Sequence, residues 1–134
     1  MSQNFMVPAW IHLLDDGRLR LIGQRCRSCG THAFPRTTAC KKCSSTDLEQ
    51  AMLGPNATLY SVTTDRTSTS AANHKLVGQA QFPDGAYVQG YVAGDVNYPP
   101  RIGAPVELVP YELRFPDGQT GTTYGFRVRE KANA

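Results

Sequence analysis

A chain of 134 residues with 40% apolar residues, and with 14 Lys and Arg against 11 Asp and Glu, has the composition expected of a soluble globular domain or of two very small ones. No apolar run is long enough to cross a bilayer as a helix. Met1-Ser-Gln-Asn-Phe5 is no secretion signal, so a disulfide-stapled secreted scaffold is not expected and the chain is expected in the cytoplasm.

In chain order, Pro8 sits at a plausible first helical turn, and Trp10, Ile11, Leu13 and Leu14 follow at roughly helical spacing until Asp15-Asp16-Gly17 ends the segment. The expected short helix exposes Trp10, Ile11 and Leu14 on one face, which has to pack on its own domain or on a partner. Leu19 to Arg25 alternates as a strand would and leads into Cys26-Arg-Ser-Cys29-Gly30. After ten intervening residues comes Cys40-Lys-Lys-Cys43, and these are all four cysteines of the chain.

Two C-x-x-C pairs separated by a short loop are the spacing of a tetrahedral four-thiolate metal site. Each pair makes a tight turn, and Gly30 permits the positive φ such a turn needs. A catalytic dithiol would use one C-x-x-C inside a βαβ pattern, which this chain lacks. Structural zinc on Cys26, Cys29, Cys40 and Cys43 is therefore expected, with iron in the same cage as the alternative. His32, three residues after Cys29, reads as a surface or supporting histidine because four sulfurs already complete the tetrahedron. His12 and His74 have no partner at ligand spacing. A saturated site has no open position for substrate, so this ion builds structure.

Between the knuckles, Phe34-Pro-Arg36 marks a hairpin whose aromatic is expected to pack under the metal, and residues 44 to 50 return as a strand. About 30 residues bury too little apolar surface to hold themselves. Zinc binding, worth roughly 10 to 16 kcal/mol in zinc-finger peptides, is what would fold such a module.

From Ala51 onward, period-2 stretches separated by Gly, Pro and Asp predict strands over Ala57–Thr64, Lys75–Phe82, Ala86–Ala93, Pro105–Leu113 and Tyr124–Arg129. Pro83-Asp-Gly85 and Phe115-Pro-Asp-Gly118 are turns. Five strands with a Pro-Pro connection between the third and fourth fit a small Greek-key barrel of the OB type, with a five-strand sandwich as the alternative. The expected fold is mainly β: an N-terminal helical segment over 1–17, a rubredoxin-like zinc ribbon over 18–50 and an OB-fold over 51–134. The polar loop Asp65 to His74 joins the first two barrel strands, where OB-folds often contact ligands.

The ordered set of motifs resembles the DUF35 family. It comprises an amphipathic opening, Arg25-Cys-x-x-Cys-Gly30 with Phe34-Pro-Arg36, and Cys40-x-x-Cys43 followed by Ser44-Ser-Thr-Asp-Leu48. The Gly54-to-Val62 strand, Phe82-Pro-Asp-Gly85 and Ile102-Gly-Ala-Pro-Val106 complete it. The resemblance implies a zinc-ribbon OB-fold protein of acyl-CoA metabolism, an accessory subunit in a hetro-oligomer with a thiolase-like protein that holds the catalytic groups. It implies CoA or acyl-CoA at the shared interface during thiolase, aldolase or acyltransferase chemistry, and no catalytic residue on this chain. The polar stretch Thr67 to Asn73 departs from the more apolar, proline-containing segment common in that family, which implies a different acyl specificity if it touches the acyl chain.

CoA phosphates would need cations, and Arg25, Arg27, Arg36, Lys41 and Lys42 supply a cluster at the ribbon, with Arg127 and Arg129 beside Tyr124 and Phe126 on the last strand. The rival reading is a nucleic-acid-binding ribbon and OB module. From residue 51 onward, however, seven basic residues meet seven acidic ones, and a neutral barrel is a poor funnel for a polyanion. Rubredoxin-like electron transfer would leave the barrel unexplained, and a free-standing enzyme would lack a recognisable nucleophile.

Overall fold

The structure, a computed structural model, describes residues 5–66, 74–115 and 117–129. It is mainly β, with two connected sheets. Strands β1 (Ile11–Leu13), β2 (Leu19–Cys26), β3 (His32–Ala33) and β4 (Leu48–Leu53) form a four-stranded antiparallel sheet in which β2 pairs with the other three. Strands β5 (Asn56–Asp65), β6 (Lys75–Gln81), β7 (Tyr87–Val92), β8 (Pro105–Arg114) and β9 (Thr120–Val128) close a barrel in the order β5-β6-β7-β9-β8. Its single parallel pairing, β7 with β9, and the return of β8 to β5 make the five-stranded Greek-key barrel that the strand pattern predicts.

The N-terminal helix is reduced to one 3-10 turn, Pro8–Trp10, and its other apolar residues become β1. The physical reason is local. Val7 provides no side-chain cap, and the segment is far too short to offset helix nucleation. Asp15-Asp16-Gly17 turns the chain back so that Ile11 faces Leu21 and Leu13 faces Leu19 across an antiparallel hairpin.

Hairpins fall where turn chemistry places them. Gly85 donates to the Phe82 carbonyl at 2.8 Å, and the Asp84 carboxylate accepts from Ala86 N–H at 3.0 Å. In β5 a bulge at Leu59/Ser61 lets Asn56–Thr58 pair with β8 while the rest of the strand pairs with β6. The polar stretch Thr67 to Asn73 lies outside the described residues.

The two sheets share one core. Leu19 and Leu21 of β2 and Leu53 of β4, all fully buried, belong to the same cluster as Leu59, Leu76, Leu108 and Phe126 of the barrel. Burial along β2 follows the pleat, with Leu19, Leu21 and Gly23 facing inward before Gln24 and Cys26 are buried at its end. Ion pairing crosses the same junction. Glu107 on β8 is buried, accepts from Arg127 on β9 at 2.6 and 3.2 Å, and lies 3.6 Å from Arg18 in the turn before β2.

Candidate metal centre and aromatic cleft

Strand β2 delivers Cys26 at its C-terminal end, and the first knuckle begins there. The two knuckles repeat one backbone pattern. Gly30 N–H donates to the Cys26 carbonyl and Ser44 N–H to the Cys40 carbonyl, each at 2.8 Å. Cys26 N–H donates to Thr31, and Cys40 N–H to Ser45, at 2.9 and 2.8 Å. Gly30 takes φ +79°, and Ser44 takes the equivalent left-handed conformation at φ +67°.

The four sulfurs lie within 4.8 Å of one another, with Cys26 to Cys43 at 3.5 Å and Cys29 to Cys40 at 3.7 Å. A tetrahedron with metal–sulfur arms of ~2.3 Å has edges of about 3.8 Å, so the cage fits one tetrahedral ion. The electrostatics also require a cation. The Thr31 hydroxyl, 3.1 Å from Cys29 Sγ, and the Thr31 N–H lead in drawing the Cys29 thiol down to about 6. Backbone N–H of Cys29 is the main cause that lowers Cys26. At Cys43 the N–H of Ser45 pulls down, but the Cys26 sulfur, burial, and the Cys29 and Cys40 sulfurs outweigh it and push the thiol up to about 12. Four thiolates cannot share this space without a positive ion between them. None of the three histidines joins the cluster. His12 is exposed on β1, His74 precedes β6, and His32 on β3 reaches 4.0 Å from Asp84 in the β6–β7 turn.

Of the five ribbon cations, Arg25 pairs with Glu49 at 3.0 Å, and Arg27 approaches Glu49 and Asp47 at 3.4 and 3.8 Å. Arg36, Lys41 and Lys42 are exposed and, among the described residues, form no ion pair. Arg127 is committed to Glu107, and Arg129 is exposed just past β9.

Residues that sequence reasoning passed over complete the site. Gln24, buried on β2, accepts from Thr37 N–H at 2.7 Å and donates to the Thr37 hydroxyl at 2.9 Å, fastening the approach to the second knuckle. Phe34 packs between Trp10, with ring centroids 5.2 Å apart, and Tyr124 of β9, at 5.6 Å, both edge to face. The aromatic expected beneath the metal thus reaches the barrel, and the apolar N-terminal face docks on its own chain. Beneath these rings a cleft of about 570 Å³ opens between the ribbon and the β7 and β9 seam. Gly90 forms part of its lining, since a Cβ there would sit 2.7 Å from the Tyr124 ring. The Tyr124 hydroxyl donates to the Gln89 carbonyl at 2.5 Å, and burial, with Tyr91 nearby, pushes its pKa up to about 12. An aromatic in a strand pattern signals burial, yet nothing in the pattern tells which element it will meet.

Comparison with known proteins agrees with this architecture. A family model described as the ChsH2 rubredoxin-like zinc ribbon domain matches residues 15–49. A DUF35 domain-containing scaffold protein of Methanocaldococcus jannaschii is 26% identical over 138 residues, spanning 99% of this chain and 96% of that protein. A solved structure described as the Ltp2-ChsH2(DUF35) aldolase is similar with a TM-score of 0.61 at 22% identity, over 96% of each chain. A DUF35 protein of unknown function from Sulfolobus solfataricus gives a TM-score of 0.53 at 20% identity, over 82% of this chain and 76% of that one. With the ribbon matched over residues 15–49 and the likeness to a DUF35 scaffold protein running nearly end to end, this chain is similar to DUF35 proteins in sequence and shares the fold of two of their solved structures.

Proposed function

We propose that the protein is a non-catalytic accessory subunit. It joins a thiolase-like enzyme as a metal-pinned scaffold and helps hold acyl-CoA while the partner makes or breaks a carbon–carbon bond. The observation that carries this reading is the use of every cysteine of the chain in one closed cage, which leaves no thiol for thioester chemistry. Zinc is the proposed ion, since a saturated tetrahedral four-sulfur site with no open position suits a structural role. Reduced cysteines of this kind also favour a cytoplasmic setting.

The relatives support the scaffold half of the reading: one is described as a scaffold protein and one as part of an aldolase. For the CoA half, Arg36, Lys41 and Lys42 are the ribbon cations that form no ion pair among the described residues, and they are the residues proposed to meet phosphate. The nucleic-acid reading draws no comparable support. Along the outer wall of β5 to β7, Thr58, Tyr60, Gln79, Gln81, Tyr87 and Gln89 are uncharged, and Lys75 at the start of β6 stands opposite Asp65 of β5 in the register, which gives a polyanion little to hold.

The test is purification after co-expression with a thiolase-like enzyme encoded beside this chain, together with metal analysis of the product. The expected result is a stable complex containing one zinc per chain, whose turnover collapses when this chain is withheld. A free monomer that leaves the enzyme's turnover unchanged, or an isolated chain that turns over a thioester alone, would overturn it.

A further inference from the structure

Resting on the acyl-CoA reading above, we infer that the aromatic cleft between ribbon and barrel is the seat of a bulky, uncharged acyl group, so that the substrates served are larger than acetyl thioesters. The cleft has the dimensions of a small-molecule site, since pockets that enclose drug-sized ligands run from about 300 to 1,000 Å³. If each methylene-sized group takes roughly the 30 Å³ of a water molecule, an acetyl group would fill a small fraction of the 570 Å³ and leave the rest wet. A chain of some ten carbons or a ring system would displace that water from Trp10, Phe34, Val77 and Tyr91.

Charge selects the ligand as much as size does. No Lys or Arg lines the cleft among the described residues, so its lining offers no cation to offset the desolvation of an anionic tail. The Tyr124 hydroxyl is already engaged by the Gln89 carbonyl, so this residue would meet a ligand with its ring surface. Arg36, exposed and next in the chain to Pro35 of the lining, is the nearest ribbon cation in sequence to the cleft, and under this inference it would meet the phosphate-bearing end of the thioester. A cleft walled largely by rings and without a cation of its own, with an exposed cation nearby in the chain, suits an apolar acyl group on a phosphorylated carrier.

Trp10, the single tryptophan of the chain, lines the cleft and reports on it directly. The experiment titrates the full-length, metal-loaded chain with three phosphate-free thioesters, S-decanoyl-, S-acetyl- and S-(9-carboxynonanoyl)-pantetheine, and follows tryptophan emission. The decanoyl thioester should give a saturable shift at a concentration at least about tenfold below the other two, because eight added methylenes leave water. Gln89→Phe, made at an exposed position of the cleft lining, should weaken decanoyl binding by a similar factor with an unaltered melting curve. Equal responses to decanoyl and acetyl probes would overturn the inference without needing any variant to fold. So would a Trp10 shift that appears only when the partner enzyme is added, which would make the cleft a protein interface. Binding of CoA itself and co-purification with the enzyme, measured in parallel, report on the parent reading separately.

Discussion

Ser44 is the one non-glycine residue with positive φ among those described, and it stands where the first knuckle has Gly30. An L residue in that region costs roughly 1–2 kcal/mol, partly offset by the greater freedom glycine has in the unfolded chain. Ser44→Gly should therefore stabilise the metal-loaded protein by up to about 1 kcal/mol, and Ser44→Val should destabilise it, because a β-branched residue tolerates positive φ poorly. Denaturant unfolding of the zinc-loaded variants checks both signs; identical midpoints would show that the knuckle relaxes out of the left-handed conformation. At this scale the cysteines were legible because ligation fixes their spacing along the chain. Ser44 was not, since a serine after C-x-x-C reads as an ordinary turn residue. Nor was the contact of buried Glu107 with Arg127, which exists only through the register of β8 against β9. Arg25 and Arg27 look like free cations in sequence and are neutralised by Glu49 and Asp47, which β4 and the loop before it bring alongside.

At the scale of elements, the barrel strands were legible because alternation and turn residues coincide, and the structure moves most of their ends by a single residue. The exception is β9, which begins at Thr120 rather than Tyr124 because Thr120 to Thr123 extend the ladder with β8. The N-terminal segment misled for a clear reason. Four apolar residues in five satisfy a helical stripe and an edge strand equally well, and the partner strand β2 decides between them. The seam of β7 and β9 carries the cleft, and its shape depends on Gly90, whose missing side chain lets the Tyr124 ring lie over the strand. Gly90→Val should overpack this contact, costing about 1–3 kcal/mol in denaturant unfolding. It should also blunt the Trp10 response to apolar thioesters, since the ring it displaces supports Phe34, against which Trp10 packs. A variant with wild-type stability and wild-type response would show that Tyr124 has room to move aside.

For the whole molecule, the question is whether the ribbon is a separate unit that metal alone holds folded. Size gives one answer and packing another. A ribbon of about 30 residues would collapse without its ion if it stood alone. Here β2 and β4 insert Leu19, Leu21 and Leu53 into the barrel core, Arg20 donates to the carbonyls of Gly54 and Met52 at 3.1 and 3.2 Å, and Arg18 reaches Glu107. The half of the ribbon nearest the barrel is therefore held by apolar burial, and only the knuckles and the loop between them depend on the metal. Chelation should accordingly unfold residues 26 to 47 while the barrel and the β2–β4 ladder persist. Hydrogen exchange before and after metal removal reads this directly. The amides of Cys26, Gly30, Cys40 and Ser44, which close the knuckle turns, should lose protection, whereas those of Leu21 and Leu53 should keep it. Loss of protection throughout the barrel would mean that the ion supports the entire fold. Full protection at the knuckles would mean that the four sulfurs stay gathered by the chain alone, which their mutual repulsion as thiolates argues against.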